Sequence, residues 1–166
     1  MVNNKQSEKD TKLLAVIRIR GRPSINPTAR TTLKLLRLHR KNHLVLVKGT
    51  PEILGMLQKV KDFVTWGEIS LDTLENLLKT RGRLVGNKKL TDENIAKVTP
   101  FKTIRDFAKA LYDCQVKMTD FPALKPVFRL NSPSGGFKKS IKRPYSDKGE
   151  LGYRGESINE SIERMI

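Results

Sequence analysis

Residues 11–51 carry ten basic side chains and not one Asp or Glu: Lys12, Arg18, Arg20, Arg22, Arg30, Lys34, Arg37, Arg40, Lys41 and Lys48. The chemistry open to such a set is anion binding, with lysine acting as a point charge and arginine as a planar fork of donors that matches phosphate. A second acid-free run, residues 121–146, holds Lys125, Arg129, Lys138, Lys139, Lys142 and Arg143. A third, residues 76–91, holds Lys79, Arg81, Arg83, Lys88 and Lys89. Residues 147–166 are different, with five acids (Asp147, Glu150, Glu156, Glu160, Glu163) against Lys148, Arg154 and Arg164. Solvated surfaces intersperse the two signs, because like charges packed together repel. Segregation on this scale, within a 166-residue chain of net charge +16, predicts a polyanionic partner. Nucleic acid is the first candidate and an acidic membrane surface the second.

Bond-making chemistry has little to work with. His39 and His43 are four apart, a spacing that chelates a metal from one helix face, but no Cys or carboxylate stands nearby as a third ligand and His43 falls at a predicted strand start. Cys114 reads as a small hydrophobe rather than a nucleophile. As the only cysteine it makes no internal disulfide, which points to a reducing, cytoplasmic setting. The acids are dispersed rather than paired as a hydrolase needs. Gly21-Arg22-Pro23 and Ser134-Gly135-Gly136-Phe137 match neither a phosphate loop nor a dinucleotide fingerprint. Glycine turns flanked by cations nevertheless let a backbone approach phosphate closely. The expectation is therefore no enzyme, no metal and no cofactor. Aromatics are 6% of the chain, too few for a base-stacking sheet, so recognition of backbone and shape in structured RNA fits better than sequence reading of DNA. No apolar run approaches the roughly 18 residues that span a bilayer, and the polar start of the chain offers no export signal.

The elements that must position these cations follow from periodicity. Ile17 and Ile19 alternate with Arg18 and Arg20, predicting a strand with one buried and one wet, cationic face. Asn26 and Pro27 start a helix with Ala29, Leu33, Leu36 and Leu38 on its apolar side, and Arg30, Lys34, Arg37 and Lys41 recurring at helical spacing. Residues 44–47 read as a strand, Thr50-Pro51-Glu52 as a helix start, and residues 63–69 as a third strand, with Gly67 weakening its end. Ser70 caps a further helix that Gly82 ends. Short helices follow near residues 92 and 103–112, then an extended segment over 121–130, a turn-rich loop, and a terminal amphipathic helix from Ser157.

With those elements laid out, a family resemblance is visible. Ile17-Arg18-Ile19-Arg20-Gly21, then Arg30-Thr31-Thr32-Leu33, then Leu36-Arg37-Leu38 resemble the large-subunit ribosomal protein family numbered thirty in bacteria and archaea and seven in eukaryotes. PSGGFKKSIK followed by RPYSDKGELGYRGESINESIERMI, at the chain's end, is similar to the C-terminal extension of the archaeal and eukaryotic members. The absence of a long basic N-terminal arm favours the archaeal form. The resemblance implies an α+β fold: a three-stranded antiparallel sheet with two helices in the order β-α-β-α-β, related to ferredoxin-like folds, plus a helical and loop-rich extension. It implies a structural, non-enzymatic role on large-subunit rRNA near the central protuberance, among other large-subunit proteins, with 5S rRNA left open as a further contact and neither membrane nor DNA as a partner.

The organisation expected is a flexible tail over 1–12, an rRNA-binding core over 13–69, and an extension over 70–166 with a basic loop at 131–146. Arg18, Arg20 and Arg22 are expected to clamp phosphates from the first strand and its loop. Arg30, Lys34, Arg37, Arg40 and Lys41 are expected to line an rRNA groove, and Gly135, Gly136, Lys138, Lys139, Lys142 and Arg143 to enter rRNA crevices from the loop. A free RNA-binding regulator or RNA chaperone is the competing reading, and an RNA-modifying enzyme ranks last for want of an acid–base set.

Overall fold

The structure is a computed structural model that describes residues 12–21, 23 and 25–166. Most of the expected tail, and Arg22, lie outside the described residues.

β1 (Leu13–Arg18) is the centre of the sheet and pairs antiparallel on both sides. Its neighbours are β2 (His43–Lys48), with Ile17 opposite Leu44, and β3 (Val64–Glu68), with Val16 opposite Trp66. α1 (Pro27–Leu35) and α2 (Pro51–Lys59) make the two crossovers. Pro27 sits where its missing N–H is harmless, and the Asn26 side chain accepts a bond from the Thr28 amide. This is the predicted strand–helix–strand–helix–strand order.

The sheet does not stop at three strands. β4 (Val127–Arg129) adds antiparallel to β2, with His43 opposite Arg129. β5 (Ser140–Pro144) and β6 (Gly149–Tyr153) extend the other edge, β6 parallel to β3, giving six strands in the order β4-β2-β1-β3-β6-β5. Part of the segment expected to be a basic loop is therefore strand. Just past β6 the chain crosses close over β3 at Gly67, where a Cβ would stand 2.0 Å from the Gly155 carbonyl oxygen.

Both faces of the sheet are covered. Leu14 and Val16 pack with Ala29, Leu33, Leu57 and Val60 beneath α1 and α2. Leu13, Ala15 and Ile17 face the other way, against a larger core from α3 (Leu71–Arg81), α4 (Asp92–Val98), α5 (Ile104–Tyr112) and the terminal α6 (Ile158–Glu163). Every residue of β1 is buried as a result, and the expected wet face of that strand does not exist.

α1 ends sooner than its cation spacing suggests. The Leu38 amide donates to the Leu33 carbonyl and the Arg37 amide to the Lys34 carbonyl, while Arg37 takes φ 60°. That is the paired-bond stop in which a left-handed residue closes the last turn, here an arginine where glycine is usual. Buried Leu33 and Leu38 supply the apolar contact that accompanies it. Arg37, Arg40 and Lys41 consequently lie on the turn after the helix, not on a helical stripe.

Candidate nucleic-acid interface

Arg18 follows from the covered sheet. It is 3% exposed, and its guanidinium donates to the carbonyls of Arg20 (2.9 Å), Leu38 (2.7 Å) and Gly21 (3.0 Å). Those bonds tie the loop after β1 to the turn after α1, and the Asn42 amide closes the arrangement on the Arg18 carbonyl at 2.7 Å. The expected wet placement of Arg18 is thus corrected to a buried one, in which the guanidinium spends donors inside the protein. Arg20 is half-buried, donating to the Asp62 carbonyl at 3.2 Å with its guanidinium 5.4 Å from the Phe63 ring centroid.

Arg30, Lys34, Arg37, Arg40 and Lys41 are all exposed. Among the described residues no carboxylate lies within ion-pair distance of any of them. Arg30 and Lys34 rim a cleft of about 300 Å³ whose walls include Arg18, Leu33, Leu38 and His39. Lys41 connects this face to the other predicted stretch, its ammonium 6.0 Å from the Phe137 ring centroid, while Asn42 Nδ2 donates to Ser132 Oγ and the Leu130 amide to the Asn42 carbonyl. Two runs some 90 residues apart in sequence meet here.

The second run is less bare than its sequence. Gly135 and Gly136 both take φ 73°, and Arg164 Nη2 fastens that turn through the Ser134 and Gly136 carbonyls at 2.7 and 2.6 Å. Lys138 is paired with Glu160 at 3.0 Å, Arg143 stands 3.9 Å from Asp147, and the Lys139 amide donates to Glu150. Lys139 also lays its ammonium 4.4 Å from the Tyr145 ring centroid. Lys142 is exposed and its side chain makes no ion pair among the described residues. The acidic C-terminal segment has folded onto the acid-free one and offsets Lys138 and Arg143, whereas the cations of α1 and its turn keep no such partner among the described residues.

Arg129 is a cation the sequence reading named in its run but did not select. β-pairing places it opposite His43, beside the Arg40–Lys41 turn. Its position in an acid-free run was the available signal, and the extended segment expected over 121–130 contains the short strand that carries it; the pairing of that strand with β2 was not legible.

His43 is half-buried, and its ordinary pKa is lowered first by burial and then by the charges of Arg129, His39, Arg40 and Arg18. Its Nδ1 is buried with no hydrogen-bond partner. Neutral His43 thus stabilises the fold, and protonation is favoured on unfolding. Stability should accordingly be fully present above the ordinary value of 6.5 and decline as pH falls below it toward the folded-state pKa. His43→Gln should flatten that decline between about pH 7 and about pH 5 in denaturant melts; an unaltered profile would remove His43 as its source. No group of three or more His, Cys, Asp or Glu among the described residues could hold a metal ion. Burial pushes the Cys114 thiol up, away from the thiolate a nucleophile needs. No helix of the described residues is long and apolar enough to cross a membrane.

Comparison with known proteins gives the family of the chain. The family described as ribosomal protein L30p/L7e matches residues 14–64, the span from β1 into β3. The large ribosomal subunit protein uL30 of Staphylothermus marinus is 53% identical over 159 residues, covering 93% of this chain and 98% of that protein. The uL30 of Hyperthermus butylicus is 53% identical over 97% of this chain and 94% of its own. The uL30 of Thermoplasma volcanium is 52% identical, covering 93% of each.

Proposed function

Because the chain belongs to the L30p/L7e family of ribosomal proteins, which is structural and non-enzymatic, we propose that it is a constituent of the large ribosomal subunit that holds folded rRNA against α1 and the turn that follows. The observation that carries this reading is the set of five exposed cations, Arg30, Lys34, Arg37, Arg40 and Lys41, with no carboxylate paired to any of them among the described residues. In the absence of a counter-charge they repel one another, and rRNA phosphates converging on the helix relieve that repulsion.

The roles differ by residue. Arg30 and Lys34 lie one turn apart on α1 and reach successive phosphates along a groove. Arg37 and Arg40 present forks from the turn. Arg18 acts from below, keeping that turn at a fixed height above β1. Rigid placement lowers the ordering cost of binding, since the backbone carrying the cations is already tied down. Lys142 and the Gly135-Gly136 turn extend the surface through Phe137 and Lys41. The remaining cations of that second run contribute less, because Glu160 and Asp147 already offset Lys138 and Arg143.

Counterion release supplies the test. If the five cations each meet a phosphate, log K for isolated large-subunit rRNA should fall against log salt with a slope of about −4. A slope shallower than about −2 excludes a multi-phosphate contact. Co-sedimentation separates a subunit constituent from a free RNA-binding regulator or chaperone: the protein should stay with large subunits through a wash of about 0.5 M salt, with partial loss only above it. Recovery in the unbound fraction at about 0.1 M salt would contradict the assignment.

A further inference from the structure

The third acid-free run, residues 76–91, takes no part in the face around α1, and the fold gives it a place of its own. Past α3 the chain doubles back as a tight hairpin: the Leu84 amide donates to the Lys88 carbonyl at 2.9 Å, the Asn87 amide to the Leu84 carbonyl at 3.0 Å, and Arg83 bridges antiparallel to Lys89. Gly86 at φ 85° and Asn87 at φ 65° allow the tip to close. The second acid-free run comes to meet it. The Val85 amide donates to the Ala123 carbonyl at 2.8 Å, the Lys125 amide to the Arg83 carbonyl at 2.9 Å, and Leu84 bridges to Leu124.

Two stretches without Asp or Glu therefore converge on one protrusion. Lys88 and Lys89 are exposed, and among the described residues no carboxylate is within ion-pair distance of Arg83, Lys88, Lys89 or Lys125. Val85, 63% exposed at the tip, offers an apolar contact between cations. The location is decisive. Leu84 and Leu124 are anchored in the core with Leu13, Ala15 and Ile17, whereas α1 packs with Leu14 and Val16. Successive residues of a strand point to opposite faces, so the hairpin and α1 stand on opposite sides of the sheet.

We propose that the Arg83–Lys89 hairpin, with Lys125, is a second RNA-backbone site, and that the chain bridges two RNA segments, one on each side of its sheet. The inference rests on the RNA-binding reading above for its class of partner but on none of the α1 residues. The chemistry fits a ribose-phosphate chain: two adjacent ammonium groups for phosphates and a small apolar side chain for a sugar or a base edge.

Tethered cleavage tests it. In a Cys114→Ser background, Val85→Cys or Thr31→Cys would carry an iron chelate that generates hydroxyl radicals, and each protein would be bound to isolated large-subunit rRNA. Scission at two non-overlapping sets of nucleotides, one per tether, is the result expected. Scission from the Thr31 tether alone, or one shared set from both, overturns the second site. Scission from the Val85 tether alone overturns the α1 reading and the bridge while leaving the hairpin as a contact. In parallel, Lys88→Glu with Lys89→Glu should lower rRNA affinity about tenfold and reduce the salt slope by roughly 1.5, with the melting profile unchanged. An unchanged slope would put the hairpin in open solvent.

Discussion

Reversing Arg30 and Lys34 together to glutamate lowers affinity for large-subunit rRNA by about 100-fold at ~0.1 M salt and removes roughly 1.5 from the salt slope. Each reversal subtracts two charges, so formal net charge falls only from +16 to +12, and the loss is far larger than a general weakening of the field predicts. Both side chains are exposed on α1, and among the described residues neither has an ion pair whose removal would unfold the helix. A glutamate at position 30, near the helix start, is favourable toward the macrodipole, and one at position 34 in the last turn is unfavourable by a few tenths of a kcal/mol. Circular dichroism should therefore be unaltered while filter binding collapses. Binding within about threefold of the parent, with helicity retained, would show that rRNA does not touch α1.

Arg154→Ala is the largest stability effect expected, a loss of about 3–5 kcal/mol. Arg154 and Glu150 form a buried ion pair, with side chains 4% and 8% exposed. The same guanidinium donates to Thr65 Oγ1 on β3 at 2.8 Å, to Ser161 Oγ on α6, and to the Glu150 carbonyl on β6. One side chain thus joins the edge of the core sheet, the added strand and the terminal helix. Truncation leaves Glu150 charged, buried and without its cation, which is why the cost exceeds that of a lost surface pair. The double change Glu150→Gln with Arg154→Met should recover about half of the loss, because the orphaned charge is gone while the hydrogen bonds to Thr65 and Ser161 remain absent. Urea unfolding monitors both; a loss below about 1 kcal/mol for Arg154→Ala would mean that β6 and α6 are held without help from the Arg154–Glu150 pair.

Much of the core was legible before the structure. Asn26-Pro27, Thr50-Pro51 and Ser70 are local start signals, acting through caps and fixed φ within a few residues, and each begins a helix where expected. The alternation in β1 was also correctly read as a strand. What failed was the inference from alternation to exposure. A wet face requires that nothing cover it, and alternation does not report what packs above a strand: α1 and α2 close over the face of Leu14 and Val16, and helices from α3 onward close over the other. The expected exposure of Arg18 failed for that reason, although its residue type and spacing matched a phosphate contact. Arg37 and Lys41 were misread because helical spacing continues past the point where the Leu33–Leu38 contact stops α1.

The edge strands left weaker traces. β5 is mostly exposed and charged, and β6 has glycines at positions 149 and 152, so neither shows a period of two. They are held by long-range pairing, β6 on the edge of β3 and β5 on β6.

Composition and order, taken alone, determined that this chain is cationic, has no paired catalytic groups, and opens with alternating strands and helices. Those are properties of residue type and near-neighbour spacing. The folded chain decided which cations remain unneutralised: it sank Arg18 under the α1 turn, laid Glu160 and Asp147 beside Lys138 and Arg143, and left Arg30 through Lys41 bare. Electrostatic energy depends on distance through space, and chain order alone does not specify which acid ends beside which base.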